Sequence, residues 1–197
     1  MFHYFFNNLN KLFLTCALAF ISIANAQEVR VIDNKGTIKK ILIPTRAELF
    51  DTNGGFEITD DIVIIPFNAQ GIIGLNDYET ILIADKYTSI KIKKTGTYKV
   101  TYRVTAEITS DTEPTGSEDF RSGAQYALYK GSDEVLGSYS ATYNREYVRS
   151  KDTASASQIL DLEEDDVLTV RGNRYAASSA VKTVANGSSF LVERIIK

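Results

Sequence analysis

Enzymatic chemistry needs a nucleophile with a base, or ligands for a metal, and this sequence carries few of either. Its one Cys (Cys16), one His (His3) and one Met (Met1) lie in the first 16 of 197 positions, and it has no Trp. Beyond them there is no thiol and no imidazole, which removes most nucleophile–base pairs and zinc sites built on His or Cys. No G-x-S-x-G, phosphate-cradling loop or dinucleotide fingerprint occurs. Carboxylate chemistry survives, because 25 Asp and Glu are present. Two carboxylates can hydrolyse a glycoside, but the most suggestive pairs, Asp60-Asp61 and Asp165-Asp166, are sequence neighbours at strand starts. Such neighbours point to opposite faces. The expectation is a protein that is not an enzyme.

The acids also offer oxygen ligands. Asp111, Glu113, Glu118 and Asp119 fall in the polar stretch TSDTEPTGSEDFRSG at 109–123, and Glu163, Asp165 and Asp166 form a second group. Calcium takes several carboxylate and loop-carbonyl oxygens, so it is the cofactor this set suits, with Asp111, Glu163, Asp165 and Asp166 as candidate ligands. No EF-hand spacing occurs, and the competing reading is two acidic surface loops that keep the protein in solution. With Pro114 and Gly116 inside it, 109–123 is predicted to be a long exposed loop, a common place for contacts. Together with a second loop at 144–155 and exposed tyrosines it supplies the candidate ligand contacts Asp111, Glu113, Glu118, Asp119, Tyr143 and Tyr147. The whole chain has 22 basic and 25 acidic residues, a net of -3. A nucleic-acid surface needs a basic excess, so nucleic acid is excluded as a partner.

The elements that must position these residues begin after an export signal. Residues 1–26 carry Lys11, then an apolar stretch at 12–23, then Ala24-Asn25-Ala26. That A-x-A ending predicts signal cleavage near Ala26/Gln27 and a secreted or cell-surface protein. The apolar stretch falls short of the roughly 20 residues that span a bilayer. No later segment is apolar enough to cross. The mature chain would have 21 basic and 25 acidic residues and no cysteine, so stability must come from the core, a metal or assembly.

Period-two alternation dominates from there. In 97–108, Tyr98, Val100, Tyr102, Val104, Ala106 and Ile108 share one face and Thr97, Lys99, Thr101, Arg103, Thr105 and Glu107 the other. That is a half-buried antiparallel strand. Further strands are predicted at 28–33, 37–43, 62–67, 79–84, 89–94, 124–130, 134–143, 156–162, 166–172 and 189–196, punctuated by Gly, Asn, Asp and Ser clusters. Many short strands and no helical stripe predict an all-β sandwich or barrel. Residues 27–58 read as an N-terminal hairpin and linker, and 59–197 as the main domain.

Four pieces, in order, carry a resemblance. They are Gly96-Thr97-Tyr98-Lys99-Val100-Thr101-Tyr102-Arg103-Val104, Tyr126-Ala127-Leu128-Tyr129-Lys130-Gly131, Leu162-Glu163-Glu164-Asp165-Asp166-Val167-Leu168-Thr169-Val170 and Ser188-Ser189-Phe190-Leu191-Val192. Together the chain from about 60 onward resembles the C1q-like domain of the C1q/tumour-necrosis-factor superfamily, in its bacterial, exported form. It departs from the family at Asp165, where Gly is preferred, and it lacks a collagen-like stalk. The resemblance implies a jelly-roll β-sandwich of about ten antiparallel strands, a compact homotrimer and a non-catalytic module that binds glycans or surface proteins. Calcium is held near the trimer top in several members. Tyrosine, 11 in all, suits an interface, which makes Tyr126 and Tyr129 assembly candidates; filling the core is the alternative. A different reading is a fibre or surface-layer subunit joined by the N-terminal strand, with Ile38, Ile41 and Ile43 inserted into a neighbour's sheet edge.

Overall fold

The computed structural model describes residues 28–32, 35–42, 45–109, 121–145, 150–177 and 180–195. The expected signal segment, the acidic stretch 110–120 with Asp111, Glu113, Glu118 and Asp119, and Ile43 and Tyr147 lie outside the described residues. The chain divides into two compact units, Met1–Ile43 and Pro44–Lys197.

In the first unit β1 (Glu28–Ile32) and β2 (Ile38–Leu42) form an antiparallel hairpin, with Glu28 opposite Leu42 and Ile32 opposite Ile38. Gly36 takes a φ of 77° in the turn. Ile41 lies opposite Val29, and Ile38 is exposed.

The second unit is all β; no helix occurs among the described residues. It runs β3 (Arg46–Asp51), β4 (Glu57–Ile58), β5 (Val63–Ile64), β6 (Ala69–Ile73), β7 (Tyr78–Ile83), β8 (Lys86–Ile92) and β9 (Gly96–Thr109). It continues with β10 (Arg121–Lys130), β11 (Asp133–Glu134), β12 (Ser140–Arg145), β13 (Lys151–Leu162), β14 (Val167–Ala177), β15 (Ala180–Thr183) and β16 (Ser188–Arg194). One sheet has the order β4-β15-β9-β16-β3-β6, with β13 on the other edge of β9. The second has the order β11-β10-β14-β8-β7, with β12 on β10 and β5 on β14. The two sheets enclose one core as a jelly-roll β-sandwich.

The alternation predicted for 97–108 is what fills that core. Tyr98, Val100, Tyr102, Val104, Ala106 and Ile108 are all buried; Phe190 and Val192 join them from the neighbouring β16, and Tyr126, Leu128, Leu168 and Val170 from β10 and β14 of the other sheet. Burying one such aliphatic side chain contributes about 1.5–3 kcal/mol. The core tyrosines keep their hydroxyls satisfied, as buried phenols must. The Tyr102 hydroxyl lies 2.6 Å from the Ser138 carbonyl and 2.9 Å from that of Tyr126, and Tyr78 donates to the Thr45 carbonyl at 2.7 Å.

Three expectations change. Residues 46–51, read with the N-terminal hairpin and linker, form β3, paired with β16 along Arg46–Asp51 and with β6 on its other side. The second compact unit, which holds β3, spans Pro44–Lys197. The alternation of Ala47 and Leu49, both buried, is short and flanked by polar residues, and that hides it in the sequence. The strand expected at 134–143 splits into β11 and β12 around a turn, and residues 151–155, expected in a loop, lie in β13. Finally, Asp165 has a φ of 72°. The left-handed region suits Gly and is tolerated by Asp, so this departure from the family pattern leaves the turn intact.

Candidate functional site

Strands β12, β10 and β14 lie side by side, and their core-facing residues alternate with outward ones. On β10 Ala124, Tyr126 and Leu128 face the core, so Gly123, Gln125, Ala127 and Tyr129 face out. Opposite them on β14 are Asn173, across from Gln125, Arg171, across from Ala127, and Thr169, across from Tyr129. On the other side Tyr143 sits across from Gly123 and Ala141 across from Gln125. Small residues at Gly123, Ala127 and Ala141 make a flat floor, and tyrosines stand around it.

One of these tyrosines is placed by an irregularity. The β10–β14 register shifts between Gly123 and Ala124, paired with Ala176 and Arg174 respectively, so Tyr175 is the extra residue. Bulges re-aim side chains. Here the Tyr175 ring crosses β10 over Gly123, where a Cβ would come within 2.6 Å of its Cζ, and its hydroxyl donates to the Thr142 carbonyl of β12 at 3.3 Å. It lies nearly parallel to Tyr143, at 22° and 6.5 Å between ring centres. Tyr139, Tyr143 and Tyr175 remain 56%, 44% and 47% exposed. Partial burial and the neighbouring phenols of Tyr139 and Tyr143 push the Tyr175 hydroxyl above its ordinary pKa, so it stays protonated at neutral pH.

Polar groups between the rings are fixed by one another. Gln125 Nε2 donates to Asn173 Oδ1 at 2.9 Å, and the Tyr139 hydroxyl donates to Gln125 Oε1 at 3.2 Å. Arg171 stacks its guanidinium 4.4 Å from the centre of the Tyr129 ring, with Nε held by Thr169 Oγ1 at 3.1 Å and another nitrogen on the Gly131 carbonyl. The Tyr129 hydroxyl meets Glu134 Oε2 at 3.4 Å. With Ile62 these residues line an open groove of about 80 Å3, too small to engulf a ligand. The face offers flat rings, amides and one balanced charge pair.

The candidate residues divide. Tyr143 belongs to this face. Tyr129, expected in assembly, belongs to it as well. Tyr126 does not serve an interface: it is 1% exposed and packs across Gly172, where a Cβ would lie 2.6 Å from its Cδ1. Asp165 pairs with Lys91 at 2.8 Å, and Asp166 pairs with Lys130 at 3.4 Å while accepting from the Glu163 amide at 2.9 Å. Those acids serve the β13–β14 turn. Asp60 is bound by Arg174 at 2.9 Å, and the guanidinium holds its carboxyl below the ordinary carboxylate value. No group of three or more His, Cys, Asp or Glu suited to a metal occurs among the described residues. Sequence reasoning missed Tyr175, Gln125, Asn173 and Arg171. Arg171 and Asn173 do stand two residues apart around Gly172, a spacing that puts them on one face.

No family model and no curated protein sequence matches the chain. Among solved structures, murine APRIL is 12% identical over 78% of this chain and 100% of its own, with a TM-score of 0.50. Eiger, a TNF from S. frugiperda, is 14% identical over 78% of this chain and 94% of its own, with a TM-score of 0.49. By fold the chain is thus a jelly-roll β-sandwich similar to that of APRIL. No helix among the described residues is long and apolar enough to cross a membrane.

Proposed function

We propose that the protein is an exported, non-catalytic binding module of the C1q type that works as a homotrimer and captures a glycan or protein at a cell surface. The observation that carries the binding role is the exposed tyrosine face on β12, β10 and β14. Monomeric proteins seldom expose several large aromatics on one flat, ordered face without a contact to make. The trimer rests on the resemblance to C1q-like domains and on the absence of any cysteine after Cys16, since burial between subunits would supply stability that disulfides cannot. The missing thiol and imidazole support the non-catalytic reading.

Light scattering on the chain from Gln27 onward, with capture of intact cells as a second readout, tests this. Three chains per particle and cell capture lost in Tyr143→Ala are expected. A monomer that captures nothing would overturn the proposal. A ladder of larger species would favour a fibre subunit joined through residues 27–43.

A further inference from the structure

We propose that the tyrosine face is a carbohydrate site that takes an extended, uncharged glycan chain. This rests on the binding-module reading and narrows its ligand. Four features of the face point the same way.

The first is flatness. Gly123, Ala127 and Ala141 keep the floor low, and Tyr175 lies across Gly123 instead of standing away from the sheet. A protein partner anchors its hot-spot side chains in pockets, and the groove of about 80 Å3 is too shallow to seat one. Sugar rings need no such depth. Their apolar C–H faces lie on aromatic rings, and Tyr143 and Tyr175 present two nearly parallel ones.

The second is the polar complement. Sugar hydroxyls both donate and accept, and so do the groups beside these rings. Gln125 and Asn173 are two amides linked by one hydrogen bond; Asn173 Nδ2 is spent on the Asp60 and Arg174 carbonyls and Gln125 Oε1 accepts from Tyr139, which leaves one Gln125 N–H donor and a further acceptor site on each amide oxygen. The phenols of Tyr139 and Tyr175 are already oriented by their bonds to Gln125 and Thr142, so little freedom is lost on binding.

The third is charge. Arg171 and Glu134 are the charged residues lining the groove; one cation and one anion cancel, and Arg171 is already held by Thr169 and Gly131. Among the described lining residues a polyanion would find no excess of cations. The fourth is extent. Strand β12 runs over Ser140–Arg145 with Tyr139 just ahead of it, roughly 17 Å of strand, and β12 to β14 spans about 10 Å. That is room for a short run of sugar units lying along the sheet.

The test uses soluble neutral polysaccharides (galactomannan, xyloglucan and dextran) and the polyanion alginate in affinity gel electrophoresis with the full mature chain. At least one neutral polymer is expected to retard the protein, with alginate inert. Tyr143→Ala and Tyr175→Ala are each expected to weaken retardation about tenfold, whereas Tyr175→Phe, which keeps the ring, should retain most of it. Both tyrosines are largely exposed, and should one variant fail to fold, the other carries the test. Retardation by alginate alone, or retardation unchanged in both alanine variants, would overturn the inference. Cell capture that needs the tyrosines, with no polysaccharide retarding the protein, would also overturn it in favour of a protein partner and leave the binding module standing. No capture of any kind by a folded protein would remove both.

Discussion

The two faces of the β12–β10–β14 layer use the same residue type to opposite ends. On the inner face Tyr126 crosses from β10 over Gly172 of β14; on the outer face Tyr175 crosses from β14 over Gly123 of β10. The arrangement is reciprocal, a ring laid flat on a glycine of the neighbouring strand. Inside, the ring is sealed by the opposite sheet, and burial pushes the Tyr126 phenol well above its ordinary pKa. Outside, half the ring is left open. A tyrosine therefore reads as core or as contact surface only through the parity of its strand position.

Several substitutions should separate the two faces. Tyr126→Ala should cost the most, about 3–5 kcal/mol in denaturant unfolding, since it empties a buried aromatic site. Gly172→Ala forces a Cβ to 2.6 Å from Tyr126 Cδ1 and 2.8 Å from the Gln125 carbonyl. Overpacking of that kind should cost about 2 kcal/mol by the same measurement.

Asp77 gives an effect of similar size that depends on pH. Its side chain is 2% exposed and pairs with Lys94 at 2.7 Å and Arg194 at 3.8 Å, and Thr45 donates to it. Burial pushes its carboxyl up, but the Lys94 and Thr45 hydrogen bonds and the two cations outweigh that and hold it below the ordinary value. A carboxyl depressed in the folded state stabilises fully above its unfolded pKa of about 3.9, and that stability is lost as pH falls through the folded pKa. Asp77→Asn should therefore cost about 2 kcal/mol at neutral pH, because Lys94 is half-exposed and can rehydrate. Urea melts across a pH series should show wild type and variant converging below about pH 4.

Gly123→Ala puts a Cβ 2.6 Å from Tyr175 Cζ and 2.9 Å from the Thr142 carbonyl; that overpacking should cost about 1–2 kcal/mol, and by displacing the Tyr175 ring it should impair capture of ligand as badly as Tyr175→Ala. Smallest of all, Tyr143→Ala should change thermal stability by no more than about 0.5 kcal/mol while abolishing most binding. A large loss of stability there would mean that the outer tyrosines are structural after all.

How far the sequence reaches follows from the same parity argument. The long alternation at 97–108 declares its core side, because six apolar residues alternate with six polar ones. Tyr126-Ala127-Leu128-Tyr129 does not, since Ala127 and Tyr129 are apolar on the outward side too, and two tyrosines three apart point to opposite faces. Strand β3 escaped notice because Ala47 and Leu49 are its buried apolar positions and Asp51, also buried, is polar. Its carboxylate accepts from the Gly54 amide and the Thr183 hydroxyl, both at 2.9 Å. The acidic residues stand out by chemistry alone, but Asp165 and Asp166 have lysines on β8 and β10, the strands that flank β14, which only register could reveal. Tyr175 owes its position to a bulge, and nothing in the sequence around it marks one.

The central claim is that the outer tyrosines form the ligand face. Nitration of tyrosines in the folded protein, mapped by mass spectrometry with and without the retarding polysaccharide, tests it most directly. The expected result is modification of Tyr139, Tyr143 and Tyr175 but not of Tyr78, Tyr98, Tyr102 or Tyr126, and shielding of Tyr143 and Tyr175 when the polysaccharide is present. Equal modification with and without ligand, or shielding confined to tyrosines outside this face, would contradict it.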